Sequence, residues 1–72
     1  MSEEIKFTKR ELNIIRLLLK SYSQKMIAGE LSVSVETVRT HMKHIRTKLG
    51  VHSALGIINW AHQSGKFSDS SK

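Results

Sequence analysis

The sequence contains no cysteine, and that absence excludes several kinds of site at once. Without cysteine the chain can form no disulfide framework, no thiolate zinc site and no cysteine nucleophile, and it fits a reducing compartment. Long apolar runs are also missing, since none approaches the roughly 20 residues that span a bilayer. The N-terminal segment, MSEEIKF, is acidic rather than signal-like. We therefore expect a soluble, cytoplasmic protein.

Acidic residues are absent from positions 37–68, in a chain of 72 residues with a formal net charge of +6. This length is close to the lower size at which a protein holds a core without disulfides or metal, so we expect one domain. A basic charge on so small a domain favours a polyanionic partner, with nucleic acid ahead of an anionic membrane. A basic surface that is only solvated would have the same composition. The positions of the cations along the chain therefore have to distinguish a binding surface from a solvated one.

Residues 34–49 combine an apolar face with a basic one. The apolar side chains recur at i, i+4, i+7 and i+11, which predicts a helix; they are Val38, Met42, Ile45 and Leu49. The opposite face carries Glu36, Arg39, Thr40, Lys43 and Thr47, with His44 and Arg46 on its flanks. Ser34 can serve as the N-cap. Such a helix can present its N-terminal half to a polyanion, so we predict that it contacts DNA.

A capping-box pattern, Thr8 followed by Glu11, marks the start of a first helix over residues 9–20. Its broad apolar arc suits a helix that packs against more than one partner. The residues of this arc are Leu12, Ile14, Ile15, Leu17, Leu18 and Leu19. We expect this helix to serve the core.

Ser23 can cap a short second helix over residues 24–31, from which Met26, Ile27 and Leu31 would point inward. Gly29 costs about 1 kcal/mol in a helix relative to alanine, so we expect it to allow close approach of a neighbouring helix. The link to the next helix is too short for a long antiparallel hairpin. The two helices must therefore cross steeply, which is the helix-turn-helix arrangement.

A fourth helix is predicted over residues 54–64, capped by Ser53 and ended by Gly65, while Gly50 ends the third. Its side chains fall on two faces, with Leu55, Ile58, Ala61 and His62 on one and Ile57, Trp60 and Ser64 on the other. Since a four-helix domain has one core, two such faces imply a second contact. The second face either mediates self-association, or Trp60 folds onto the domain's own core or onto Phe67.

Several short motifs follow one another at a specific spacing. They are Thr8-x-Arg10-Glu11, Ser23-x-Lys25-x-Ile27-Ala28, Leu31-x-Val33-Ser34 and Thr37-Val38-x-x-His41-x-x-x-Ile45-x-x-Lys48-Leu49-Gly50-Val51, followed by Ser53. With this ordered set, the chain resembles the LuxR-type (also called GerE- or FixJ-type) bacterial DNA-binding domain over residues 8–65. The resemblance implies an all-α, four-helix helix-turn-helix fold, winged-helix-like but without the wing. We expect residues 1–7 to be a flexible lead-in, 8–66 the domain and 67–72 a disordered tail.

The resemblance also implies a transcription regulator whose third helix enters the major groove and whose fourth helix often forms a dimer contact. It favours self-association through Ile57, Trp60 and Ser64, and its implied partners are double-stranded DNA, a second copy of the chain and RNA polymerase. A symmetric dimer would hold two recognition helices roughly 34 Å apart and bind an inverted repeat. Family members commonly carry a receiver or ligand-binding domain, which residues 1–72 do not contain. The sequence is consistent both with a standalone regulator and with the C-terminal effector domain of a longer protein.

Two positions depart from the family pattern. Ser21 stands after helix 1 where the family usually has glycine, so that corner needs another conformation or is strained. Met26 stands where the family usually has glutamate, and we expect apolar packing to replace a polar link. Neither departure touches the outer face of the third helix.

Arg39, Thr40 and Lys43 project from the outer face near the start of the third helix and match the family's base-contacting positions. Arg39 can bond guanine O6 and N7 together, although contact with phosphate alone is the alternative. Glu36 could accept a hydrogen bond from cytosine N4 or simply favour the helix N-terminus by its charge, and we favour the second role.

A second set of residues could contact the DNA backbone. It consists of Ser23, Lys25, Thr37, His44, Arg46 and Lys48. Amides at the two helix N-termini would assist, and such contacts confer register and salt sensitivity without sequence choice. For each residue alone, a solvated side chain is the alternative.

Metal binding and catalysis find little support in the sequence. His41 and His44 lie one turn apart but diverge, with no cysteine and no nearby carboxylate, so we expect neither a metal nor a cofactor. Ser23, Ser34 and Ser53 serve as caps, and Glu11 as the capping-box acid, so we assign no catalytic residue and no enzyme activity. Two rivals to a DNA-binding regulator are a sigma-factor region-four-like domain and a basic adaptor that holds an acidic protein.

Overall fold

The computed structural model describes residues 5–65 and 67. In that part of the chain it contains four helices and no strand: α1 (Lys9–Leu19), α2 (Gln24–Leu31), α3 (Val35–Leu49) and α4 (Ala54–Ser64). The all-α class is confirmed, and the helix bounds agree with the sequence predictions to within about one residue. None of the described helices is long and apolar enough to cross a membrane.

Each helix begins after a hydroxyl side chain that caps it. The Glu11 amide donates to Thr8 Oγ1 at 3.1 Å, and the Thr8 amide donates to Glu11 Oε1 at 3.0 Å, so the predicted capping box is confirmed. Ser23, Ser34 and Ser53 accept the equivalent amides of α2, α3 and α4. Each cap satisfies an amide that the helix leaves unpaired and contributes about 1 kcal/mol. Local polar chemistry thus sets all four helix starts.

The core is formed by apolar side chains from every helix. Those with no or almost no exposed surface are Ile14, Ile15, Ile27, Val38, Met42, Ile45 and Ile57. Helix α3 packs against each of the other helices and buries the face that carries Val38, Met42 and Ile45. Because this face is packed along most of the helix, the opposite face of α3 is directed toward solvent.

The turn between α2 and α3 is short and well bonded. Ser32 adopts a left-handed conformation with φ 58°, and the Val33 amide donates to the Ala28 carbonyl at 3.0 Å. Ser34 then caps α3 directly. This turn fixes α2 beside the N-terminal half of α3, as a helix-turn-helix requires.

The packing predicted for Met26 and for Gly29 is wrong. Met26 is 52% exposed and Leu55 63% exposed, so neither packs in the core, and Met26 does not replace the family's polar link by apolar packing. A Cβ added at Gly29 would meet nothing within 4 Å. The close approach lies instead at Gly56, where an added Cβ would come within 2.8 Å of Val51 Cβ. Helix α2 is short, and its buried residues are limited to Ile27 and Ala28.

Ser21 occupies the corner after α1 in a left-handed conformation, with φ 69°. Its amide donates to the Leu18 carbonyl at 2.9 Å, and the Tyr22 amide donates to the Leu17 carbonyl at 3.1 Å. These bonds satisfy the last carbonyls of α1, while the backbone angle is one that glycine adopts most easily. Ser21 therefore holds a backbone conformation that strains a residue with a Cβ.

Aromatic side chains from both ends of the described chain meet on α4. Trp60 lies between Phe7, with ring centroids 5.6 Å apart, and Phe67, at 6.0 Å. Arg16 of α1 lies over the Phe67 ring at 5.7 Å from its centroid. Phe7 and Phe67 therefore pack on the domain, although the predicted boundaries assigned them to a flexible lead-in and a disordered tail. Residues 1–4 and 68–72 of those two segments, and residue 66 of the predicted domain, lie outside the described residues.

Candidate nucleic-acid interface

A groove of about 450 Å³ runs along the outer face of α3. Its lining residues are Gln24, Glu36, Arg39, Thr40, Lys43 and Arg46. The structure thus brings together all three residues predicted to contact bases and one predicted to contact the DNA backbone. Three of the lining side chains are cations, so the groove offers a concave, positively charged surface to an anion.

Arg39 and Glu36 form an ion pair across one turn of α3. Arg39 Nη1 lies 3.5 Å from Glu36 Oε1, and the two side chains are 62% and 79% exposed. A pair this exposed contributes little to stability. The Thr40 hydroxyl donates to the Glu36 carbonyl at 3.2 Å, which limits its rotation. Both contacts lie in the N-terminal half of α3 and shape the side of the groove predicted to face DNA bases.

Gln24 lines the same groove from the first residue of α2, and sequence reasoning missed it. Its amide nitrogen donates to the Met42 sulfur at 3.7 Å, a contact between α2 and α3. The turn between α2 and α3 places the first turn of α2 beside α3. The position of Gln24 directly after the Ser23 cap was therefore the signal in the sequence that could have indicated this contact.

Two of the predicted backbone contacts already serve as parts of helix caps. Ser23 Oγ accepts from the Met26 amide at 3.1 Å, and Thr37 Oγ1 lies 2.9 Å from Ser34 Oγ. A hydroxyl that accepts a hydrogen bond keeps its own proton, so capping by Ser23 does not prevent it from donating to a phosphate. Lys25 and His44 are exposed, and Arg46 is half-buried.

Lys48, which the sequence predicted as a phosphate contact, is engaged in contacts within the domain. Its ammonium lies 2.7 Å from Glu11 Oε1, donates to the Lys6 carbonyl at 3.1 Å and lies 5.4 Å from the Phe7 ring centroid. Glu11 is buried, so its charge requires a partner. Sequence reasoning missed the pair because the two residues are 37 positions apart and no periodic pattern links them.

The surroundings of Glu11 keep it ionised. Burial acts to raise its pKa. The hydrogen bond from Lys48, the bond from the Thr8 amide and the charges of Lys48 and His41 together lower the pKa by a larger amount. The net effect is a pKa below the ordinary value. Glu11 therefore combines its confirmed role in the capping box with that of a buried anion.

One residue of the predicted dimer contact on α4 needs correction. Ile57 is fully buried in the core, so it is not available to a second copy of the chain. Trp60 is half-buried against Phe7 and Phe67, which is the alternative that the sequence left open. Ser64 donates to the Ala61 carbonyl at 3.1 Å within its own helix. The exposed large apolar side chain of α4 is Leu55.

The geometry defines a class of protein. Four capped helices, a short turn between α2 and α3, and a cationic groove on the outer face of α3 are the features of a helix-turn-helix DNA-binding domain. The sequence pattern of the family described as bacterial regulatory proteins, luxR family, matches residues 6–61. The chain belongs to this family, whose members are DNA-binding transcription regulators and not enzymes.

Individual relatives agree with this assignment. The oxygen regulatory protein NreC of Staphylococcus aureus strain JH9 is 48% identical over 54 residues, which are 75% of this chain and 25% of that protein. NreC of Staphylococcus aureus strain USA300 matches to the same extent. A solved structure of the transcription factor GerE is 37% identical, with a TM-score of 0.75, and the match covers 82% of this chain and 88% of that one. The chain thus spans 25% of the length of the NreC relatives.

Proposed function

We propose that this domain binds double-stranded DNA with sequence preference, with α3 in the major groove and Arg39, Thr40 and Lys43 against base edges. The observation that supports this proposal is the division of α3 into two faces. Val38, Met42 and Ile45 are buried along one face, while the other lines a groove that includes three cations. A helix held so firmly can present its outer side chains in a fixed arrangement to the bases.

The proposed contacts to the DNA backbone come from both helices of the motif. They are Ser23, Lys25, Thr37, His44 and Arg46, without Lys48. Free amides in the first turns of α2 and α3 add donors for phosphate oxygens. These contacts would fix the register of the domain on DNA and make its affinity fall with salt.

We propose a homodimer on DNA that forms through the exposed side of α4. Leu55 supports this choice, because it is a large apolar side chain that is 63% exposed. Ile58 is half-buried and His62 exposed on the same helix face, at spacings of three and seven residues from Leu55. Such a dimer would bind an inverted repeat with half-sites about one helical turn apart.

In the cell, this function would be that of an effector domain in transcription control. A domain that acts on promoter DNA works in the cytoplasm of a bacterium, and RNA polymerase is the proposed protein partner of the complex. The family match favours this assignment over a sigma-factor domain. A basic adaptor for an acidic protein would bind DNA weakly and without sequence preference, which a binding measurement separates.

The test is fluorescence anisotropy with a labelled pool of random-sequence duplexes at two salt concentrations. Wild type is compared with Arg39→Ala/Lys43→Ala and with Lys9→Ala/Lys20→Ala, which removes the same charge from exposed positions outside the groove. We expect salt to weaken wild-type binding to the pool, and on sites selected from the pool we expect the groove variant to bind at least about tenfold more weakly. Equal losses in the two variants would show that only net charge matters and would contradict the proposal.

The dimer proposal has its own matched pair of variants. Leu55→Gln should reduce binding of the second copy to an inverted repeat, measured by analytical ultracentrifugation of the complex. Met26→Gln makes a comparable change at another exposed apolar residue and should leave the assembly unchanged. Loss of assembly in both variants, or in neither, would contradict the assignment of the dimer face to Leu55.

A further inference from the structure

Glu36 is an acid on a surface otherwise suited to a polyanion. It lines the groove together with Arg39, Lys43 and Arg46, and its side chain is 79% exposed. A carboxylate at this place repels every phosphate that approaches, so it lowers the affinity for DNA of any sequence. An acidic residue also stabilises the N-terminus of a helix, and the sequence favoured this role for Glu36. That stabilisation does not require the carboxylate to face the groove, so it does not explain why Glu36 lines it.

The contacts of Glu36 point toward Arg39. The carboxylate oxygen lies 3.5 Å from Arg39 Nη1, whereas the Thr40 hydroxyl bonds to the Glu36 backbone carbonyl and so leaves the carboxylate to the guanidinium. Because an exposed pair adds little to folding stability, its effect has to be sought in what it does to Arg39. A carboxylate one turn away restricts the guanidinium to fewer orientations over the groove.

We propose that Glu36 is a specificity-determining residue of the DNA interface. Its carboxylate orients Arg39 for guanine and accepts a hydrogen bond from the amino group of a neighbouring cytosine. Arg39 has five N–H donors, so it can bond guanine O6 and N7 and still face Glu36. This inference rests on the proposed function, because it assumes that α3 enters the major groove.

The same carboxylate penalises wrong sequences. Thymine O4 and guanine O6 are acceptors, so neither satisfies Glu36 when it is pressed against them without water. An unpaired charge at an interface is a repulsive element, and such elements separate a correct partner from incorrect ones. Glu36 thus lowers the affinity for DNA in general, and this cost is offset only where the amino group of a base faces the carboxylate.

The test begins with the sites that wild type selects from a random duplex pool. Affinity for one selected site and for the random pool is then measured at fixed salt for wild type, Glu36→Gln and the control Glu30→Gln. Glu30 is an exposed acid on α2 that does not line the groove. We expect Glu36→Gln to bind the random pool about fivefold more tightly, because a repulsive charge is gone. Its preference for the selected site should fall about tenfold, because a charge-assisted base contact is lost.

Glu36→Asp separates charge from position. It keeps the negative charge but shortens the side chain, so affinity for the random pool should stay at the wild-type value while the preference falls. Repeated site selection adds a direct signature: Glu36→Gln should lose the cytosine and weaken the preference for guanine, whereas Arg39→Ala should lose the guanine. Circular dichroism of each variant verifies that it is folded.

Two different results would overturn the inference in distinguishable ways. If Glu36→Gln keeps the wild-type preference, or changes affinity only as much as Glu30→Gln, Glu36 does not determine specificity although the proposed function stands. If wild type itself binds selected and random DNA equally, the proposed function fails, and the role of Glu36 fails with it.

Discussion

The Lys48 ammonium lies 2.7 Å from the Glu11 carboxylate and joins the last turn of α3 to the first turn of α1. The same ammonium donates to the Lys6 carbonyl and lies over the Phe7 ring. One side chain thus connects α3, α1 and the segment that precedes α1. Because the Glu11 carboxylate is buried, this connection matters to folding and not only to surface charge.

Lys48→Met should destabilise the domain, because it leaves the Glu11 carboxylate buried without its counter-charge. A fully buried pair would lose about 3–5 kcal/mol, and we expect about 2 kcal/mol here since the Lys48 side chain is partly exposed. Urea unfolding followed by circular dichroism measures the loss. The double variant Glu11→Gln/Lys48→Met should recover part of it, because no charge is then left unpaired.

The same variant also tests whether Lys48 contacts the DNA backbone. At a temperature where Lys48→Met is folded, the dependence of its DNA affinity on salt should equal that of wild type. A salt slope smaller by about one would instead mean that Lys48 neutralises a phosphate.

Acid should destabilise the domain through Glu11. Its pKa is below the ordinary value in the folded state, because the bonds from Lys48 and Thr8 outweigh the effect of burial. As the pH falls below about 4.3, the unfolded chain takes up the proton first, so the free energy of unfolding decreases until the folded-state pKa is passed. Urea midpoints measured across this range should fall less steeply in Glu11→Gln. Parallel curves for the two proteins would contradict this role.

Ser21→Gly should stabilise the domain. Ser21 has φ 69°, a conformation that costs a residue with a Cβ about 1–2 kcal/mol. Glycine removes this strain but loses more conformational entropy on folding, so the expected net gain is about 0.5–1 kcal/mol. Thermal unfolding measures it, and Ser21→Ala serves as the control because it keeps the Cβ. If both variants gain equally, the backbone conformation is not the cause.

Two glycines should respond oppositely to alanine. Gly56→Ala places a Cβ within 2.8 Å of Val51 Cβ and should destabilise the domain by about 1–3 kcal/mol. Gly29→Ala meets open space within a helix and should stabilise it by about 0.5–1 kcal/mol. Both changes are measured by urea unfolding. Destabilisation by Gly29→Ala would restore the packing role that the sequence suggested.

Arg39→Ala and Lys25→Ala should weaken DNA binding in different ways. Removing Arg39 should cost about 1–3 kcal/mol on a selected site and little on random DNA, because a base contact is lost. Removing Lys25 should weaken all sequences alike and lower the salt slope by about one. Competition binding with selected and random duplexes measures both. Equal behaviour of the two variants would contradict the assignment of roles.

The helices could be predicted from the sequence because their signals are local. Thr8, Ser23, Ser34 and Ser53 sit where a hydroxyl caps a helix, and Val38, Met42 and Ile45 repeat at the helical period. The outer face of α3 followed from the same periodicity. That is why Arg39, Thr40 and Lys43 were expected together and do line one groove.

The remaining contacts depend on how the helices pack, which periodicity does not report. The Glu11–Lys48 pair and the approach of Gln24 to Met42 join residues far apart in the chain. Met26 was expected to point inward from the second helix, but it is exposed, as is Leu55. A domain this small has too little interior for all of its large apolar side chains, so some of them are exposed.

Trp60 is the single tryptophan of the chain, and it lies between Phe7 and Phe67. Its intrinsic emission is therefore an unlabelled optical reporter of whether both flanking segments are docked on α4. Light that excites tryptophan selectively samples one location in this domain, without an attached dye and without altering the groove on α3. Spectral shifts recorded during DNA titrations can thus be assigned to the α4 side of the molecule.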